Sequence, residues 1–198
     1  EKGLSHVGVR DGSGAITEVI KITELMQFHR YSSMVLTQSI QHAETLEQIV
    51  EHRRRVPHMV QALIDGGARP RNITRLISTI SDTIADKLVA FAIDDLGPPP
   101  CAFAFVVLGS EGREEQTLVT DQDNAIIYEP PATDADGQGV HDYFLQLGRR
   151  VCEGLARAGY APCKADMMAS NPRWCQPLPV WQRYFTEWIT TDDPRDFL

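Results

Sequence analysis

The sequence predicts an α+β fold in which a helical region comes first and a small mixed sheet flanked by helices follows. Three observations carry this. Apolar residues recur at three- and four-residue steps over two long stretches that end at Leu96, the spacing of a helix face. The tract Pro98-Pro99-Pro100 comes next, and consecutive prolines stiffen the chain and forbid a helix. Beyond it lie short apolar runs of strand length, with one more helical pattern between them, as expected of strands packed on helices.

Taken in order, residues 1–17 place Gly3, Gly8, Gly12 and Gly14 around Val7, Val9 and Ile16, with a turn signal at Asp11-Gly12-Ser13-Gly14. They read as a linker or as the strand-turn remnant of an upstream domain. A helical pattern sets in at about Ile16, and the helical region is assigned to 18–97. Within it Ile40, Ala43, Leu46, Ile49 and Val50 form a stripe that Val56, Val60, Leu63 and Ile64 continue. Pro57 predicts a kink or break near Val56. Gly66-Gly67 and Pro70 are stop signals, and Asn72 is the expected N-cap of the next helix. That helix carries Ile73, Leu76, Ile77, Ile80, Ile84 and Leu88 on one face and ends at Gly97. Residues 98–100 are the proline linker. Residues 101–198 are the α/β unit, which we expect to be cut short at its C-terminus. In it 102–108 reads as a buried strand, 124–128 as a second, and 133–139 as a loop. Tyr143, Phe144, Leu147, Val151 and Leu155 mark a helix over 140–158, stopped by Gly159. A third strand is expected between Tyr160 and Ala169, and an aromatic-rich helix from about Pro179.

The 198 residues are 42% hydrophobic and 23% charged, the balance of a soluble globular chain. The longest apolar run, 103–108, is too short to cross a bilayer, and no secretory signal opens the sequence, so the expected location is cytoplasmic. Glu1 stands where Met would, and we expect a piece of a longer polypeptide. A net charge of −8 argues against broad capture of nucleic acid. Arg53-Arg54-Arg55 beside His52 and His58 is a local basic strip whose ordinary role is a solvated helix face. Cys101, Cys152, Cys163 and Cys175 show no zinc spacing, which predicts reduced thiols used as small packing groups. His29 and Tyr31 are isolated and expected to pack or cap. The N-terminal helices are a candidate homodimer surface.

Chemistry concentrates in 108–128, which reads LGSEGREEQTLVTDQDNAIIY. A strand ending in Gly109-Ser110 enters a tight turn without a Cβ. A helix after it would offer free N–H groups and the Ser110 hydroxyl to an anion. Gly112 lets backbone approach closely, and Arg113 supplies a cation for phosphate or carboxylate. Asp121 and Asp123 flank Gln122, so in an extended segment both face one way. Their oxygens suit Mg²⁺, which completes its shell with water and substrate phosphate. Glu111, Glu114 and Glu115 are lesser candidates for a further site carboxylate and read mainly as charges favoured at a helix N-terminus. Asn171 and Trp174 suit a base or ribose, although core packing is the commoner task of a tryptophan.

The pairing of Gly109-Ser110 with Asp121 and Asp123 resembles the Gly-Ser … Asp-x-Asp signature of the DNA polymerase β-like nucleotidyltransferase superfamily. More closely, GSEGREEQTLVTDQDNAIIY looks like the nucleotidyltransferase domain found downstream of cyclic-nucleotide-binding and CBS domains in bacterial signalling proteins. That domain is related to the uridylyltransferase of nitrogen regulation. The tract GYAPCKADMMASNPRWCQPLPVWQRYFTEWI and the helices from Ile40 to Gly97 are similar to other parts of the same family. The resemblance implies a nucleotidyltransferase-type sheet and transfer of a nucleoside monophosphate from a nucleoside triphosphate to a protein or small-molecule hydroxyl. Asp121 and Asp123 would hold Mg²⁺ or Mn²⁺, and Gly109, Ser110, Gly112 and Arg113 would bind substrate. The superfamily's third carboxylate points to Asp166, on the expected third strand. The alternative is a catalytically silent nucleotide-binding regulatory module.

Overall fold

The computed structural model describes residues 5–21, 33–130 and 137–190. His29, Tyr31 and the first part of the 133–139 loop lie outside the described residues, as do residues 191–198. The architecture is α+β. His6–Arg10 (β1) and Ile16–Lys21 (β2) pair antiparallel, and the Asp11 carboxylate closes their turn by accepting from the N–H groups of Ser13 and Ala15. A strand over 16–21 corrects the helical start expected there. Ile16, Thr17, Val19 and Ile20 are all β-branched, and such side chains lose rotamer freedom in a helix but not in a strand.

Among the described residues four helices follow: Ser33–Gln41 (α1), Leu46–Arg53 (α2), Val56–Asp65 (α3) and Pro70–Leu96 (α4). Thr45 caps α2 by accepting from the Gln48 N–H. The break expected near Val56 is present, with Pro57 in the first turn of α3, where its missing N–H costs nothing. The start of α4 differs from expectation. Pro70 takes the first turn and Arg69 the N-cap position, so Asn72 lies inside the helix. The fixed φ of proline sets helical geometry two residues earlier than the Asn72 side chain would.

The second half contains Phe103–Val107 (β3), the single turn Gly109–Gly112 (α5), Asp121–Gln122 (β4) and Asn124–Tyr128 (β5). Gly137–Arg157 (α6), Ala161–Pro162 (β6), Cys175–Pro177 (β7) and Leu178–Thr190 (α7) complete it. The main sheet runs β3-β5-β7, antiparallel between β3 and β5 and parallel between β5 and β7. Strand β6 pairs instead with β4, outside that sheet. The third strand expected over 160–169 is therefore only two residues long, and residues 175–177 take its place in the sheet. β3 is an edge strand with half-buried side chains rather than a fully buried one.

Strand alternation builds two layers on the sheet. Phe103, Phe105, Ile126 and Tyr128 join Phe144, Leu147 and Val151 of α6 and Ile80, Ile84 and Leu88 of α4 in the main core. The other face packs Val106, Ala125 and Ile127 against Trp174 and Trp181, and the Trp181 indole donates to the Ile126 carbonyl at 3.1 Å. Side chains from both sides of the proline tract thus share one apolar cluster. At Gly148 of α6 a Cβ would press onto the Ala169 carbonyl, so this glycine lets the 167–169 segment lie flat on the helix.

Candidate functional site

Strand β3 delivers the chain to the site. The Leu108 N–H donates to the Asp123 carbonyl at 2.8 Å, so the turn at Gly109 is made beside the Asp-bearing segment. Gly109 has φ of +56°, and an added Cβ would project into the Asp123 carboxylate. Both demands select glycine. Gly112 is constrained by packing alone, since a Cβ there would lie 2.8 Å from the Val107 carbonyl. Ser110 is half-buried in the one-turn helix. Arg113 is exposed and pairs with Glu115 at 3.0 Å.

Residues 121–124 alternate between two environments. Gln122 is buried, its amide donating to the carbonyls of Cys152 at 3.2 Å and Tyr160 at 3.4 Å. Asn124 is buried too, and its Oδ1 accepts from the Ala169 N–H at 2.8 Å and the Cys152 thiol at 3.4 Å. These two amides pin the strand to the interior and leave Asp121 exposed and Asp123 half-buried on the other side.

A third donor meets them there. β4 and β6 run parallel with Asp121 opposite Ala161 and Gln122 opposite Pro162. Asp123 and Cys163 are the next residues along the two chains. Ligand atoms of Asp121, Asp123 and Cys163 all lie within 4.8 Å of one another. Burial raises the Cys163 thiol above its ordinary value, and its hydrogen bond to the Asp123 carboxylate adds to the shift. Two carboxylates and a thiol fit a divalent cation. The oxygens suit Mg²⁺ or Mn²⁺, and the sulfur suits softer ions. The sequence assigns Cys163 a packing role because it belongs to no metal-ligand spacing. Only the register of a two-residue strand brings it in.

Asp166 does not join this group. It lies on a turn rather than a strand, with φ of +56°, and its N–H donates to the Cys163 carbonyl at 3.0 Å. The chain reverses there, and the exposed carboxylate is taken by the Asn171 amide at 2.9 Å. Asn171 also caps the short turn Pro172–Trp174 by accepting from the Arg173 N–H. Trp174 is buried against Trp181, so its task is packing.

Glu111 stands apart from its acidic neighbours. Glu114 pairs with Arg75 at 2.7 Å, and Glu115 with Arg113. The Glu111 carboxyl is instead pushed up to about 7, by burial first, then by Asp82, with Asp123 contributing less. The Gln116 amide donates to it at 3.2 Å and opposes the shift. Gln116 is fully buried; its Oε1 accepts from the Ser81 hydroxyl at 2.6 Å, and Ser81 lies 2.8 Å from the Tyr160 hydroxyl. Arg53 completes the chain of contacts, with its guanidinium over the Tyr160 ring and a hydrogen bond to the Leu118 carbonyl. The first arginine of the basic strip is thus an interior group. Arg54 and Arg55 are exposed and pair with Glu51.

The raised Glu111 value makes a stability prediction. The folded protein holds this proton more tightly than the unfolded chain, whose value is the ordinary 4.5. The resulting stability is complete below the unfolded value and is lost as pH rises towards 7. It amounts to at most roughly 3 kcal/mol. In metal-free denaturant titrations Glu111→Gln should gain on the wild type as pH rises from about 5 to about 8. A stability difference that stays flat with pH would contradict the assignment.

A separate cavity of about 550 Å³, lined by Leu46, Leu88, Phe91, Arg150 and Arg157 among others, contains none of the site residues described above. Among the described residues, no helix is long and apolar enough to cross a membrane. No curated protein matches the chain. The family described as "Putative nucleotidyltransferase DUF294" matches residues 54–195. With most of its length covered, and with the glycine turn packed against Asp123 inside the matched span, the chain belongs to that nucleotidyltransferase family.

Proposed function

We propose that this chain transfers a nucleoside monophosphate from a nucleoside triphosphate to a hydroxyl of a protein or small-molecule acceptor, with Mg²⁺ or Mn²⁺ as cofactor. The observation that carries the reading is the convergence of Asp121 and Asp123 beside a Gly109 turn that tolerates no side chain. In this reading Asp121 and Asp123 hold the metal. Gly109 and Ser110 present backbone and hydroxyl donors to the triphosphate, and Gly112 keeps that turn close to β3. Arg113, whose exposed pairing with Glu115 costs little to break, swings to the phosphates. A divalent ion held there would supply charge neutralisation for an in-line displacement. Glu111, held by Gln116 beside the same turn, replaces Asp166 as our candidate for the third acidic group. The acidic net charge favours a protein or small-molecule acceptor over RNA. We place the chain in a bacterial signalling polypeptide with CBS or cyclic-nucleotide domains, related to the uridylyltransferase of nitrogen regulation.

A second reading, a nucleotide-sensing module without transfer, draws on one observation: Asp166 is occupied by Asn171 rather than joining the aspartate pair. Calorimetry with each of the four ribonucleoside triphosphates should show binding in Mg²⁺ or Mn²⁺ and none in EDTA. Pyrophosphate should then appear once acceptor extracts are added. Equal binding in EDTA would sink the metal assignment. Metal-dependent binding without pyrophosphate would select the sensor.

A further inference from the structure

We propose that Cys163 is a third protein ligand to a thiophilic divalent ion held by Asp121 and Asp123, giving the site a built-in preference for zinc-like and cadmium-like ions over Mg²⁺. The inference rests on the reading of the two aspartates as metal ligands and extends it to which ions the site binds most tightly. Its basis is positional. Cys163 and Asp123 are the next residues after the paired β4 and β6 positions, their side chains are hydrogen-bonded, and the Asp166 N–H bond to the Cys163 carbonyl fixes the backbone just beyond. All three ligand atoms lie within 4.8 Å of one another. Metal–oxygen and metal–sulfur bonds of about 2.1 and about 2.3 Å span nearly that distance, so small side-chain movements place one ion in contact with all three.

Mg²⁺ takes oxygen and leaves the thiol aside. A zinc-like or cadmium-like ion forms a bond to sulfur as the thiol proton leaves for solvent, with no change of oxidation state. The other cysteines do not compete. The Cys101 thiol donates to the Glu129 carbonyl and the Cys152 thiol to Asn124, and Cys175 lies in the core.

The test is a titration of the full chain with Cd²⁺ in a phosphine reductant, following the ultraviolet thiolate-to-cadmium charge-transfer band, beside a matching titration with Mn²⁺. The wild type should give the band at one equivalent of Cd²⁺. Cys163→Ser should lose it, and its ratio of Cd²⁺ to Mn²⁺ affinity should fall at least about tenfold. A band that persists in Cys163→Ser overturns the proposal. So does a wild type that binds Mn²⁺ through Asp121 and Asp123 but shows no band, and in that case the metal reading itself stands. A wild type that binds neither ion removes both.

Discussion

Asp121→Asn combined with Asp123→Asn is expected to lower metal-dependent triphosphate binding by more than about 100-fold, since loss of an outer-shell partner alone costs about 10- to 100-fold. The amides keep the shape of the side chains and remove both charges. Folding should survive, because the segment is anchored by its other face. Gln122 and Asn124 make the interior hydrogen bonds, whereas Asp121 is exposed and Asp123 half-buried. Relief of repulsion between two neighbouring carboxylates should leave the metal-free melting temperature equal to or above the wild type's. Calorimetry with Mn²⁺ and triphosphate is the measurement. Unchanged binding in the double variant would end the metal assignment.

Gly109→Ala should be nearly as damaging to binding and should also cost stability. A left-handed backbone at +56° strains any residue with a Cβ, by about 1–3 kcal/mol. The new methyl would also occupy the space of the Asp123 carboxylate. The carboxylate must rotate away from Asp121 and Cys163, or the turn must open. Either movement should weaken Mn²⁺ by at least about tenfold. Denaturant unfolding reads the first effect, and the paramagnetic signal of free Mn²⁺ reads the second. Wild-type metal affinity in this variant would mean that the turn and the carboxylate are not coupled.

Much of this was legible in the residues. The long helix ending at Gly97, the strands at 103–107 and 124–128 and the helix stopped by Gly159 all carry a strong period or a glycine terminator, and local pattern reports both. The Gly109 turn and the aspartate pair were legible because their chemistry is written in contiguous residues. What escaped depends on pairing across distance. A three-residue strand containing glutamine and proline has no period, and β7 exists because β5 offers it an edge. Cys163 reaches the aspartates through the register of two residues. Asp166 was misplaced because a strand was expected where the chain makes a left-handed turn, and no local signal announced that conformation for an aspartate. Glu111 resembled its exposed neighbours in sequence. Its burial is set by α4 and Gln116, which are distant from or hidden to a local reading.

The single apolar cluster shared across the proline tract has a thermodynamic consequence. Helices α1 to α4 share that cluster with β5, the strand that follows directly on Asp123, and we expect them to unfold as one cooperative unit. Free energy released by a ligand at the Gly109 turn is therefore distributed to helices that never touch it. By the same linkage, and on the proposed reading of the site, a change that loosens α4 should weaken nucleotide affinity. The helical half is less a tether than a reservoir from which the occupancy of the proposed site can be adjusted.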